Sequence, residues 1–251
     1  MAGKTNCLMT ALRPAESITH RPWSLDRTWW VVLLFLGLVF LIAETTHLDL
    51  FVQDRFYNFT AGTWLIDPFA PVPRALFYTG PKFVLILGGL ALLLIAVVPG
   101  KWRKTAPWWT QDRRGLLVCF FTLGLVPLAI GEIKQYTNVY CPAQIQRYGG
   151  KMPYVRVLEN YPADFRPPLR GQCWPAGHAS GGFALLAFAG LARTRRGQRL
   201  AIALGLGVGG IMALYQNAKG AHYLSHTLIT VSLAWLIFLL LRRIPGLRPL
   251  R

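Results

Sequence analysis

The stretch GAHYLSHTLITVSLAWLIFLLL, residues 220–241, decides the fold. It runs 22 residues without a carboxylate, lysine or arginine. A helix needs about 20 mainly apolar residues to cross about 30 Å of hydrocarbon, so this stretch is long enough to span a membrane. Its head carries His222 and His226, polar groups of a kind that are costly at a membrane boundary and mark function when they occur there. Five more uncharged stretches precede it: 28–43, 83–100, 115–131, 171–192 and 200–218, of 16, 18, 17, 22 and 19 residues. The shorter ones can recruit neighbours. Trp29 and Trp30 suit an interface, and Thr45, Thr46 and His47 follow Glu44. The pattern predicts an all-α polytopic membrane protein with six transmembrane helices, the fourth and sixth starting a few residues inside their stretches.

Composition agrees. Of 251 residues, 53% are hydrophobic and 15% charged, against roughly a quarter charged in a soluble domain. The net charge of +17 on so apolar a chain has three readings: nucleic-acid binding, attraction to anionic lipid, or the bias of lysine and arginine toward cytoplasmic loops. Position decides between them. With the N-terminus inside, segments 1–28, 100–114, 193–199 and 242–251 hold 17 basic and three acidic residues, a net of +14. The outside segments hold ten basic and seven acidic residues, a net of +3. The positive-inside rule then places both termini in the cytoplasm, and basic residues scattered over short loops argue against a nucleic-acid partner.

The expected organisation is a cytoplasmic tail (1–28), a six-helix membrane domain (29–243) and a second cytoplasmic tail (244–251). The tail and first span read as an uncleaved signal anchor. Outside segments are about 44–81, 132–177 and 217–225. The first, with Phe51, Phe56, Tyr57, Phe59 and Trp64, suits an amphipathic helix lying in the interface, broken afterwards by Pro68, Pro71 and Pro73. The second is the longest polar region, and a loop of that length is usually functional. Gly205, Gly207, Gly209 and Gly210 give the fifth span a small face for close packing. Cys7 and Cys119 read as inert thiols. Cys141 and Cys173 flank the large outer loop in an oxidising compartment, where they are either bonded or two small buried residues.

Chemistry gathers at the predicted outer face. His178 lies in Pro175-Ala176-Gly177-His178 at the head of the fourth span, His222 and His226 at the head of the sixth, and Lys134 at the outer end of the third. A turn into a helix leaves N–H groups aimed at an anion, Lys134 adds a point charge, and two histidines can act as nucleophile and general acid/base. That is equipment for phosphoryl transfer, and no carboxylate cage demands a metal.

These residues resemble the type 2 phosphatidic acid phosphatase superfamily, which shares its site with vanadium haloperoxidases. Its motifs read K-x6-R-P, P-S-G-H and S-R-x5-H-x3-D. Here Lys134 is followed after six residues by Cys141-Pro142; the second motif is Pro175-Ala176-Gly177-His178; and Tyr215-Gln216 is followed after five residues by His222 and, three further on, His226. The resemblance implies a phosphohistidine on His222, proton transfer by His178, phosphate neutralisation by Lys134, and backbone donors around Ala176 and Gly177. It puts His226 where the family's aspartate orients the nucleophile, one turn from His222. Both motif arginines are absent, with Cys141 and Gln216 in their places. Lys219, Arg147, Arg166 and Arg170 are the basic residues that could supply the missing charge.

The implied function is a lipid phosphatase without cofactor or metal, acting on a lipid phosphomonoester or diphosphate at the outer face of a bacterial inner membrane. A lipid-to-lipid phosphotransferase is a close variant. Two other classes compete: a catalytically degenerate binder of anionic lipid or a partner protein, and a zinc hydrolase using His222, His226 and His178. The oligomeric state is not legible.

Overall fold

The computed structural model describes residues 24–99 and 107–245, with the side chains of Trp108 and Trp109 left aside. Most of the expected N-terminal tail, Cys7, and residues 246–251 of the C-terminal tail lie outside the described residues. The protein is mostly helical and spans the membrane several times.

Five helices are long and apolar enough to cross a bilayer. Helix α1 covers Trp29–Thr45, extended at its start by a 3-10 turn from Leu25. After the short α2 (Leu48–Gln53) and a small hairpin, β1 (Tyr57–Asn58) against β2 (Thr63–Trp64), comes α3 (Pro71–Val97). Then follow α4 (Arg113–Tyr136), the short α5 (Ser180–Gly190), α6 (Arg195–Ala218) and α7 (Leu224–Arg243). α4, α5 and α7 form the centre, with α3 along α4, α6 along α5 and α1 along α7. Trp235 Nε1 on α7 donates to Thr28 Oγ1 at the start of α1 at 2.7 Å.

The helices start where the sequence can satisfy their free N–H groups. The Asp112 carboxylate accepts from Gly115 N at 2.9 Å, and Thr194 Oγ1 accepts from Gly197 N at 3.1 Å. α6 lies close on α5 through Gly205 and Gly209, where an added Cβ would strike Leu186 and Phe183. Gly207 and Gly210 face open space and take no part in that contact.

Three expectations need correction. Between α1 and α3 lie a six-residue helix and a 3-10 turn (Asp54–Phe56), because Tyr57 and Trp64 pair across a hairpin instead of continuing a helical face. Pro71 and Pro73 do not break a helix but begin one, since proline at the first helical turn has no partner to lose. The helix they start contains a π-bulge at Ala75–Thr79, where Gly80 N donates to Ala75 O. Pro81 accounts for it. Proline cannot donate to the carbonyl four residues back and its ring crowds that carbonyl, so the chain widens by one residue just before it. Only glycine fits at 80, because a Cβ there would lie 2.7 Å from Ala75 O.

The fourth uncharged stretch differs too. Residues 171–179 are a loop, and α5 is a five-residue α-turn (Ser180–Ala184) followed by a 3-10 segment (Leu185–Gly190).

A cap of loops covers one end of the bundle. Cys141 and Cys173 are joined by a disulfide. Cys173 N donates to Val139 O at 2.9 Å, and Tyr140, Ile145, Tyr148 and Tyr223 form a buried cluster with Tyr57 and Trp64 against it. The loop between α6 and α7 hangs from this cap. Ile66 N donates to Ala218 O at 3.1 Å, Gln53 Nε2 to Asn217 O at 2.8 Å, and Ala143 N to Gly220 O at 2.9 Å.

Candidate active site

His222 sits in the loop before α7, folded back by an Ala221 N to Gln216 O hydrogen bond of 2.8 Å. It is 2% exposed. His178 sits in the turn that opens α5, closed by Ser180 N and Ser180 Oγ on Gly177 O at 3.2 and 2.6 Å. The two rings meet: His178 Nδ1 lies 3.3 Å from His222 Nε2. On the other side of the His222 ring, Nδ1 lies 3.4 Å from Cys173 Sγ. A disulfide sulfur can only accept, so a shared hydrogen there belongs to Nδ1. That tautomer leaves the lone pair on Nε2, the nitrogen facing His178.

Lys134 ends α4 beside this pair. Its Nζ donates to Gln172 O at 3.2 Å and reaches Cys173 O at 3.5 Å. A Cβ on Gly177 would lie 3.0 Å from Lys134 Cε, so glycine at this position lets the lysine lie close against the second motif. Burial pushes the His178 pKa down to about 4, helped by the positive charges of Lys134, Lys219 and Lys82. Burial also holds His222 well below the ordinary histidine range, again with Lys134 nearby. Both rings are therefore neutral at pH 7.

The structure thus brings His178, His222, His226 and Lys134 together, but His226 does not do what the spacing implied. Its Nδ1 lies 3.2 Å from Cys173 O, and its ring centre is 6.2 Å from that of His222. The one-turn relation holds only inside a helix, and α7 begins at Leu224, after His222. The same fact removes the shared helix face that a zinc site on His222 and His226 would need. Among the described residues, the metal-like grouping is Cys141, Cys173 and His222, and a disulfide offers no thiolates.

Ala176 also differs from expectation. Its N–H donates to His226 O at 3.3 Å and its carbonyl accepts from Thr230 Oγ1 at 3.0 Å, so it braces α5 against α7. Of the four basic candidates, only Lys219 lies near the histidines, 5.9 Å from the centre of the Tyr78 ring, which in turn lies 4.8 Å from His178. Arg147 makes a two-pronged bridge to Asp54 at 2.8 and 2.6 Å. Arg170 donates to Tyr136 O and Thr137 O at 2.6 and 3.3 Å. Arg166 is exposed on the long loop between α4 and α5. Gln216 is buried, and its amide has no hydrogen-bond partner among the described residues.

A family model described as PAP2 superfamily matches residues 115–249. The chain belongs to the PAP2 superfamily. No curated protein and no solved structure matches it. The matched part of this PAP2 chain covers α4 to α7 and all three motifs.

Sequence reasoning missed three residues, each before the PAP2 match. Asp49 on α2 accepts from Ser225 N at 2.9 Å and from the Ser225 hydroxyl, between the two histidines of the third motif. Tyr78 leaves the π-bulge to lie on His178, and Lys82 stands one turn later on the same face. A signal for the last two existed: Gly80-Pro81 inside a helix marks an irregularity, and irregular helix turns collect at functional sites.

Below the histidines a cavity of about 690 Å³ runs between α3 and α4, lined by Lys134, His178 and Gly177 at its head and by Leu85, Leu90, Phe120 and Leu123 along its length.

Proposed function

We propose that this protein is a metal-independent phosphatase of the cell envelope that hydrolyses a lipid phosphomonoester or diphosphate through a phosphohistidine. The observation that carries the reading is the 3.3 Å contact between His178 Nδ1 and His222 Nε2 at the head of an apolar cavity that Lys134 also lines. Sites that bind ligands of this size have volumes of about 300–1,000 Å³ and are mostly apolar with a few placed polar groups. A cavity between two membrane-facing helices suits a lipid tail, with the phosphate held at the lysine and histidines.

His222 Nε2 attacks phosphorus, and the bond from phosphorus to the leaving oxygen breaks as the P–N bond forms. In-line transfer places phosphorus between the rings, so their contact opens as substrate enters. His178 gives its proton to the leaving oxygen. It then takes one from water as that water attacks the phosphohistidine, releasing inorganic phosphate and His222. Lys134 and Lys219 neutralise charge on the transferring group. The low pKa of His178 suits this role, because a phosphate dianion beside it raises the pKa toward neutrality only when substrate is bound.

The topology we favour has six crossings, both termini inside and the site at the periplasmic face of a bacterial inner membrane. The short α5 supports it. Gly177 abuts Lys134 at one end of α4, and Leu191 abuts Gly115 at the other. The chain between these two contacts, whose spanning part is Ser180–Gly190, therefore runs alongside about 28 Å of α4, helped by the ~2 Å rise of its 3-10 part.

The test is release of inorganic phosphate from a panel of lipid phosphates by wild type, His178→Ala and His222→Ala. Wild type should exceed both variants by at least about 10³-fold, as for loss of a nucleophile or its base. Orthovanadate should inhibit as a transition-state mimic. Equal rates for all three proteins on every substrate would remove the reading.

A further inference from the structure

The motif arginines are replaced by a disulfide-bonded cysteine and a buried glutamine, so the phosphate's counter-charges have to come from elsewhere in the fold. Lys82 is placed to supply one. It lies on α3, one helical turn after Tyr78, and the π-bulge at Ala75–Thr79 puts both on the wall of the cavity whose opposite wall holds Lys134. Tyr78 rests on His178 with ring centres 4.8 Å apart. Among the described residues Lys82 has no carboxylate partner, whereas Arg147 has Asp54.

The side of the reaction that Lys82 serves follows from what lines the cavity. His178 lines it and His222 does not. The nucleophile lies behind the acid, and the lipid end of any substrate lies in the cavity in front of it. A cation at the cavity head, on the wall away from His222, therefore meets the leaving group rather than the phosphoryl group in transfer.

The two candidate leaving groups differ in what they need. A lipid monophosphate releases an alcohol; once His178 has protonated it, that oxygen carries no charge. A lipid diphosphate releases a lipid monophosphate. The bond between the terminal phosphorus and the bridging oxygen breaks, and the electron pair goes to a group that already carries negative charge. A fixed ammonium beside it stabilises the transition state more than the ground state, which is the condition for raising rate.

Building on the phosphatase reading above, we propose that Lys82 contacts the phosphate that stays with the lipid, and that the preferred substrate class is a lipid diphosphate. Water then cleaves the phosphohistidine, and the products are one lipid monophosphate and one inorganic phosphate. The positive charge of Lys82 already bears on His178, together with those of Lys134 and Lys219, which agrees with the three lysines sharing one anionic ligand.

The experiment uses the full chain in detergent micelles, with hexadecyl diphosphate and hexadecyl phosphate as probes. It compares wild type, Lys82→Met, Lys82→Arg and His222→Ala. Lys82 is exposed, so neither substitution empties the core. Wild type should prefer the diphosphate. Lys82→Met should lose about 10- to 100-fold in kcat/KM on the diphosphate, the range for one charge-assisted contact, and at least tenfold less than that on the monophosphate. Lys82→Arg should recover most of the loss, which a merely structural lysine would not do selectively. A wild type that prefers the monophosphate, or equal losses on both probes, overturns the role of Lys82 and leaves the phosphatase reading intact. A wild type no faster than His222→Ala on both probes overturns both.

Discussion

The carboxylate of Asp49 holds both the backbone N–H and the hydroxyl of Ser225, and so ties α2 to the first turn of α7 between His222 and His226. Asp49 is 6% exposed and caps a helix start that otherwise has no side-chain cap. Asp49→Ala should cost about 1–2 kcal/mol through the lost cap, with more from the Ser225 hydroxyl left unsatisfied. Phosphate release should drop about tenfold or more because the turn that joins His222 to α7 loses its tether at Ser225, while Asp49→Asn, which can still accept, should fall between. Thermal melting and phosphate release on the same preparations check this. An Asp49→Ala protein that melts lower yet keeps full kcat would show that the cap stabilises α7 without positioning the histidines.

The disulfide should be required for activity as well as stability. Cys173 presents its sulfur to His222, its carbonyl to His226 and Lys134, and its N–H to Val139. The bridge closes a separation of 32 residues, for which the chain-entropy estimate is about 3–4 kcal/mol. Reduction, or Cys141→Ala with Cys173→Ala, should lower the melting temperature and reduce phosphate release well beyond the fraction unfolded. Non-reducing mass spectrometry that finds both thiols free in active protein would contradict this.

Why some of this was legible in the sequence and some not has a physical basis. Hydrophobic length and the positive charges bordering it are local properties, so α1, α3, α4, α6 and α7 could be read directly. Motif spacing brought His178, His222 and Lys134 to one place because each sits at the end of its own helix. What failed were inferences that assumed a continuous helix. One-turn spacing pairs His226 with His222, but the helix begins between them. Pro71 and Pro73 read as an ending in sequence and are a beginning in the fold. Distant partners were illegible for a different reason: nothing near Arg147 in sequence announces Asp54, and nothing near Ser225 announces Asp49.

The cavity should accept a tail only while Gly124 stays small. Gly124 lines it on α4, and a Cβ there would meet nothing within 4 Å, so Gly124→Trp can fit the fold and fill the space. KM for hexadecyl phosphate should rise about tenfold or more, whereas a short, soluble phosphate ester such as p-nitrophenyl phosphate should be turned over nearly as before. Steady-state kinetics on the two esters separate the outcomes. Equal effects on both would mean that the cavity does not hold the tail.

Acid should destabilise the protein in a window set by its buried histidines. The His178 pKa falls from the ordinary 6.5 to about 4, first through burial and then through Lys134, Lys219 and Lys82. Between those two pH values the unfolded chain binds a proton at His178 that the folded chain refuses. Stability therefore rises with pH across that window and is lost on acidification, by at most about 1.4 kcal/mol per pH unit for one group. His222, held low by the same burial, adds to the slope in the same direction. Above pH 6.5 neither ring contributes. The groups facing His178 are Tyr78 from α3, Lys134 from α4 and His222 from the loop before α7; none supplies a carboxylate to reverse the sign. Melting temperatures of wild type and His178→Gln between pH 4.5 and 8 test this. The variant should show a shallower decline below pH 6.5 and the same plateau shape above it. A parallel decline in the two proteins would mean that His178 titrates normally and is not the buried neutral acid that the site requires.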